Sequence, residues 1–212
     1  PGAFIPLAEE SDLIVSLGEW VLAQACAVVA QPDFSRRRLR MSVNLSARQF
    51  REDGFVPSLR ALLRTTGADP TLLTLEVTEG LVIDDFDDVV SKMRELVALG
   101  VEFALDDFGT GYSSLAYLKR LPIQELKIDR SFVSEAPTNE DDGALVEAIL
   151  TVASQFGLRV VAEGVETQEQ VDFLAQREPA MVYQGYLFGH PEPVDQWMAR
   201  QTPDMPQGPG PH

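Results

Sequence analysis

Six short apolar segments, Leu39–Asn44, Leu72–Val77, Val101–Leu105, Glu125–Ile128, Arg159–Ala162 and Met181–Tyr183, alternate with stretches of helical periodicity, and this alternation restricts the fold more than any other feature. Helices are expected between them over Phe55–Thr66, Phe86–Leu99, Ser113–Arg120, Asp142–Phe156 and Gln168–Gln176. Gly67, Gly100 and Gly157 follow three of these, as helix-ending glycines do. An earlier helix, capped by Ser11 or Asp12, places Leu13, Ile14, Leu17, Trp20, Val21, Ala25 and Val28 at three- and four-residue spacing and stops before Pro32. Repeated β–α units give parallel strands covered by helices, so the class is α/β, either an open sheet or a TIM-type barrel.

Each segment ends in, or runs directly into, a strongly polar residue: Asn44, Glu76 with Glu79, Asp106 with Asp107, Lys127 with Asp129, Glu163, and Gln184. Parallel strands gather such residues at one face. A whole face lined with them is the barrel-enzyme arrangement, whereas an open sheet concentrates ligand contacts at its switch point. The expectation is therefore a modified TIM-type barrel. Six strands do not close one, and an open edge of buried strands is costly, so about two strands are expected to be missing from this chain. One domain is expected over residues 1–202. The stretch 203–212, rich in Pro and Gly and without apolar periodicity, predicts a disordered tail.

Four or five carboxylates and a carboxamide brought to one place repel one another unless cations sit among them. Together Asn44, Glu76, Asp106, Asp107 and Glu163 thus predict a divalent metal site. All their donors are hard oxygens, which favours Mg2+ or Mn2+; Ca2+ fits the same ligands. The adjacent pair Asp106-Asp107 suits two ions, the arrangement that activates water and stabilises a phosphodiester's leaving oxygen. Each residue alone also has an ordinary reading. The Asp pair can cap a helix before the turn Phe108-Gly109-Thr110-Gly111, Glu79 can brace a loop, and Asn44 can be a turn residue. Lys127, set in an apolar strand, either pairs with Asp129 or a neighbouring strand's acid, or orients water and steadies a phosphate. Glu163 is a ligand or base, and Glu166 a cap for the following helix. His190 and His212 have no spaced partners for zinc or triad chemistry.

Composition removes other classes. A net charge of −16, from 17 basic and 33 acidic residues among 212, argues against binding a nucleic-acid backbone. No apolar run reaches the roughly 18 residues a membrane span needs, and Pro1–Glu10 lacks the pattern of a signal peptide, so a cytoplasmic setting is expected. Cys26, the single cysteine, has apolar neighbours and reads as a buried small hydrophobe.

The ordered string Phe4-Ile5-Pro6-Leu7-Ala8-Glu9-Glu10, Val43-Asn44-Leu45-Ser46, Glu76-Val77-Thr78-Glu79, Asp106-Asp107-Phe108-Gly109-Thr110-Gly111-Tyr112-Ser113-Ser114, Lys127-Ile128-Asp129, Glu163-Gly164-Val165-Glu166 and Gln184-Gly185-Tyr186 strongly resembles the EAL family, from Phe4 to about Pro193. The resemblance implies a modified barrel that hydrolyses cyclic di-GMP to linear pGpG with two Mg2+ or Mn2+ ions per site, in bacterial signalling that governs biofilm and motility. By position, Asn44, Glu76 and Asp106 resemble ligands of the first metal, Asp107 and Glu163 those of the second, and Lys127 the lysine that positions the nucleophilic water. Glu79 resembles the acid that braces the loop 108–114 and couples it to dimer contacts, while Asp129 and Gln184 resemble supporting residues near water, metal and substrate. A homodimer and linked sensory or GGDEF-type domains are implied as well. The family's Glu-Ala-Leu motif, which supplies another first-metal ligand, belongs upstream of Phe4 and is absent from this sequence, so weakened binding at the first metal site is expected. The rival expectations are a catalytically silent module that binds cyclic di-GMP or a protein partner, and an unrelated metal-dependent barrel hydrolase.

Overall fold

The computed structural model describes residues 4–83, 85–110 and 115–200. Six parallel strands form one sheet in strictly sequential order: β1 (Met41–Asn44), β2 (Leu73–Thr78), β3 (Glu102–Phe108), β4 (Glu125–Ile128), β5 (Arg159–Ala162) and β6 (Val182–Tyr183). Before β1 come α1 (Ile5–Glu9), α2 (Leu13–Val29) and α3 (Pro32–Arg36). The crossovers are α4 (Ala47–Arg51) with α5 (Phe55–Thr66), α6 (Glu79–Ile83) with α7 (Phe86–Val97), α8 (Leu115–Leu118), α9 (Arg130–Glu135) with α10 (Glu140–Phe156), and α11 (Gln168–Ala175). Helix α12 (Val194–Arg200) follows β6. The expected α/β architecture is thus present, as an open, barrel-like parallel sheet with β1 and β6 at its margins.

Strands β2, β3 and β4 are buried on both faces, with the polar Thr74, Glu76, Asp106 and Lys127 inside along with the apolar Leu75, Val77, Phe103, Leu126 and Ile128. Helix α5 turns Phe55, Val56, Leu59 and Leu63 inward and α7 turns Val89, Val90, Met93 and Leu96, each a stripe at helical spacing. At the amino ends of the strands Glu102 accepts hydrogen bonds from both Arg40 and Arg159, and Arg159 reaches Glu125 at 3.4 Å. Burial alone would raise the Glu102 pKa; the two guanidinium groups overcome it and hold the carboxyl below its ordinary value.

Several local expectations are corrected. Neither Ser11 nor Asp12 caps α2 with its side chain: Ser11 Oγ donates back to the Ala8 carbonyl at 3.2 Å, and Asp12 pairs with Arg48 on α4. Glu166 is not a cap either. Thr167 and Gln170 form a capping box on α11, and Glu166 pairs with Arg130 at 3.1 Å. Helix α10 begins at Glu140 rather than Asp142 because the Asn139 side chain accepts from the Asp141 and Asp142 amides. Strand β3 runs on to Phe108, which places Asp106 and Asp107 inside the strand and removes the reading of the pair as a helix cap. The residues Gly111–Ser114 of the expected helix and motif, and the expected tail 203–212, lie outside the described residues.

Candidate metal-binding and active site

The carboxyl ends of β2, β3, β4 and β5 converge on one buried ammonium group. Lys127 Nζ lies 2.7 Å from Glu76 Oε2, 3.2 Å from Asp106 Oδ1 and 2.6 Å from Glu163 Oε1. Lys127 is 2% exposed and Glu76 5%, so neither charge has bulk water to solvate it, and the pairing is what makes their burial affordable. Burial alone would lower the lysine's pKa; the carboxylates outweigh it and raise it, so the group is a permanent cation and a donor. Of the two readings the sequence left open, the neighbouring-strand partnership is present; Asp129 is not among the paired acids.

Adjacent residues of a regular strand point to opposite faces, and Asp106 and Asp107 escape that rule. The β3–β4 register shifts between Leu105 and Phe108, and Asp107 adopts φ +54°, the left-handed region. A bulge of this kind re-aims a side chain. As a result one carboxylate oxygen each from Asp106, Asp107 and Glu163 lies within 4.8 Å of the others, a set that could hold a divalent metal ion. The donors are all carboxylate oxygens, as a hard cation requires, so the residues fit the group. Burial, reinforced by the charge of Asp106 and by Asp129, raises the Asp107 pKa; burial likewise raises that of Glu163, against the pull of Lys127. Both shifts arise first from burial, with the neighbouring carboxylates adding to it.

The remaining candidates lie at the same, carboxyl ends of the strands. Asp129 lies close enough to Asp107 for their charges to interact and caps α9, accepting from the Ser131 amide at 2.9 Å. For Asp129, burial raises the pKa but the Ser131 bonds win, and it lies below the ordinary value. Glu79 braces the turn after β3: its Oε1 accepts from the Gly109 amide at 3.0 Å. Gly109 has φ +99°, and a Cβ there would stand 3.1 Å from the Phe132 ring, so the turn takes no side chain. Asn44 is register partner to Glu76 across the β1–β2 ladder, with an exposed side chain. Gln184 is also exposed and joins the structure through its backbone, donating to Ala162 O at 2.9 Å and accepting from Val165 N at 3.0 Å. Sequence reading missed Gln170, whose buried carboxamide organises the loop after Glu163; the Thr-x-x-Gln spacing of residues 167–170 was its signal. Burial pushes the Cys26 thiol up to about 11, which leaves it inert.

The whole of this site lies within a recognisable family domain. The family model for the EAL domain matches residues 1–191. The chain is 46% identical over 200 residues to the bifunctional diguanylate cyclase/cyclic di-GMP phosphodiesterase MucR of Pseudomonas aeruginosa, across 94% of this chain and 29% of MucR. It is 42% identical over 195 residues to the cyclic di-GMP phosphodiesterase NbdA of the same organism, across 92% of this chain and 25% of NbdA. The chain therefore spans less than a third of the length of these curated relatives. Among solved structures, the phosphodiesterase PaMucR in complex with c-di-GMP superposes with a TM-score of 0.87 at 46% identity, over 93% of this chain and 80% of that one. The EAL domain of Mycobacterium smegmatis DcpA superposes at 0.81 and 37% identity, over 89% and 85%. Matched by the family model over residues 1–191 and alike to these proteins in both sequence and fold, the chain belongs to the EAL domain family.

Proposed function

We propose that this chain is the cyclic di-GMP phosphodiesterase module of a longer protein, opening the cyclic dinucleotide to linear pGpG with two Mg2+ or Mn2+ ions. The observation that carries the reading is the meeting of Asp106, Asp107 and Glu163 beside the buried ammonium of Lys127, in a chain of this family. Asn44, Glu76 and Asp106 are the residues that would hold one ion, Asp107 and Glu163 the other. When bound, such ions supply Lewis-acid activation of water and neutralise charge developing around phosphorus. Lys127 is protonated, so it serves as a donor that positions the attacking water and not as a base. Glu163, beside the ammonium of Lys127 at 2.6 Å, is the carboxylate that would accept the water's proton. The water oxygen bonds to phosphorus, the P–O3′ bond breaks and the 3′ oxygen leaves with a proton, which is the balance linear pGpG demands. Asp129 and Gln184 act on the substrate side, and Glu79 keeps the β3 turn in place for the chemistry. The reading includes a homodimer, a cytoplasmic setting and sensory or GGDEF-type domains in the parent protein; coverage of only 29% of MucR supports the longer chain.

The test is chromatography of cyclic di-GMP incubated with Mn2+ and the longer protein, extended upstream through a Glu-Ala-Leu segment. pGpG is expected from the wild type and none from Asp106→Asn or Glu76→Gln. Binding of cyclic di-GMP without turnover would make the chain a sensor instead.

A further inference from the structure

The loop 163–167 between β5 and α11 carries Glu163 and is held from two sides. Toward β6, the Val165 amide donates to Gln184 O at 3.0 Å and the Leu187 amide to Val165 O at 3.1 Å. Toward α9, the hold runs through one buried side chain. Gln170, 6% exposed, accepts on Oε1 from the Glu166 amide at 2.7 Å and the Thr167 amide at 3.0 Å. Its Nε2 donates to the Ser134 carbonyl, in the last turn of α9, at 3.3 Å. Arg130, at the other end of α9, lies over Gly164, where a Cβ would stand 2.3 Å from Arg130 Cγ, and pairs with Glu166. That pair is largely exposed and contributes little by itself, whereas the carboxamide is out of water with both its polar atoms engaged.

Helix α9 is also the helix capped by Asp129, which follows directly on β4 and lies close enough to Asp107 for the two charges to interact. The Gln170–Ser134 bond therefore links the segment bearing Glu163 to the segment bearing the neighbour of Asp107. From this geometry we infer that Gln170 is a positioning residue of the metal site: acting through Ser134, it sets the spacing between Glu163 and the Asp107–Asp129 pair without touching metal or substrate. The inference rests on Asp106, Asp107 and Glu163 being a divalent-cation site. The two halves of the carboxamide do separable work. Capping α11 needs only the accepting Oε1, which a glutamate supplies equally well, while the tether to α9 needs the donating Nε2.

Gln170→Glu keeps the first and removes the second. At pH 8 the new carboxyl, accepting two backbone N–H groups, is ionised and faces the Ser134 carbonyl with no proton to give. Mn2+ titration followed by the electron paramagnetic resonance of the free ion reads the site directly, without turnover. Q170E is expected to weaken Mn2+ binding about ten- to a hundredfold, the usual effect of losing a partner that orients ligands. Thr167→Ala, which removes the hydroxyl cap but leaves the Gln170–Ser134 bond, is expected to lower Tm with Mn2+ affinity unchanged. Should Q170E not fold, Gln170→Met, neutral and of similar length, must show the same weakening. Wild-type affinity in the Gln170 variants, or an equal loss in T167A, overturns the proposal. A wild type that takes up no Mn2+ overturns the cation-site reading, and the positioning role falls with it.

Discussion

Lys127 stands where three acids would otherwise face one another, and removing it exposes what it balances. Lys127→Met should destabilise the metal-free protein by about 3–5 kcal/mol, because it leaves buried carboxylates without a counter-charge. Urea unfolding checks this, and added Mn2+ should restore part of the loss. The acids themselves predict a pH dependence. Glu163 and Asp107 have raised pKa values in the fold, so the folded state holds their protons more tightly than the unfolded chain does. Their contribution to stability is complete below the ordinary values of 4.5 and 3.8 and is lost as pH rises through the raised ones. Asp129 and Glu102 shift the other way and lose their contribution on acidification, so the useful quantity is the difference in Tm with and without Mn2+. That difference should be larger near neutrality than near pH 5. At this scale the sequence is legible wherever a charge interrupts an apolar strand: Glu76, Asp106, Lys127 and Glu163 are recognisable for that reason. The left-handed turn at Asp107 is not, since it arises from a register shift between two strands that no local pattern encodes.

The elements carry these side chains through a few tight approaches. Gly185 packs so closely on the loop after β5 that a Cβ would stand 2.1 Å from Val165 O, a backbone atom that cannot swing aside. Gly185→Ala should therefore move the Glu163 segment, cost about 1–3 kcal/mol as overpacking does, and weaken Mn2+ binding. Asn139→Ala is the matched control: losing the α10 cap should cost about 1 kcal/mol with Mn2+ affinity intact. The strands and long helices are visible in sequence because each shows its period over enough residues, as α5 and α7 do. Helices α1, α3, α4, α6, α9 and α12, of five to seven residues, are too short to display one. Two of them, α6 and α9, begin at or just after site residues, Glu79 and Asp129, so the parts hardest to read are those that aim the chemistry.

As a whole the molecule is strongly acidic, with a net charge of −16, and its long-range self-repulsion opposes compaction. Monovalent salt should raise Tm modestly by screening, and Mn2+ should raise it further than KCl of equal ionic strength because it also binds the cluster. An equal effect of both salts would count against a specific site. The parallel architecture is legible in the sequence at this scale, since β–α alternation allows few other arrangements. Which acids meet which cation is not, because it depends on the pairing of strands far apart in the chain. That pairing has a temporal side. The sheet order is strictly β1 to β6, so each strand after β1 finds a neighbour already made as it leaves the ribosome. Glu76 and Asp106 are synthesised before Lys127 and Glu163 after it, so the growing chain always holds two acids ready when the lysine must leave water. The gene order of the strands thus sets a limit on early compaction: Glu76 and Asp106 have to stay in water until the lysine that pairs with them has been made.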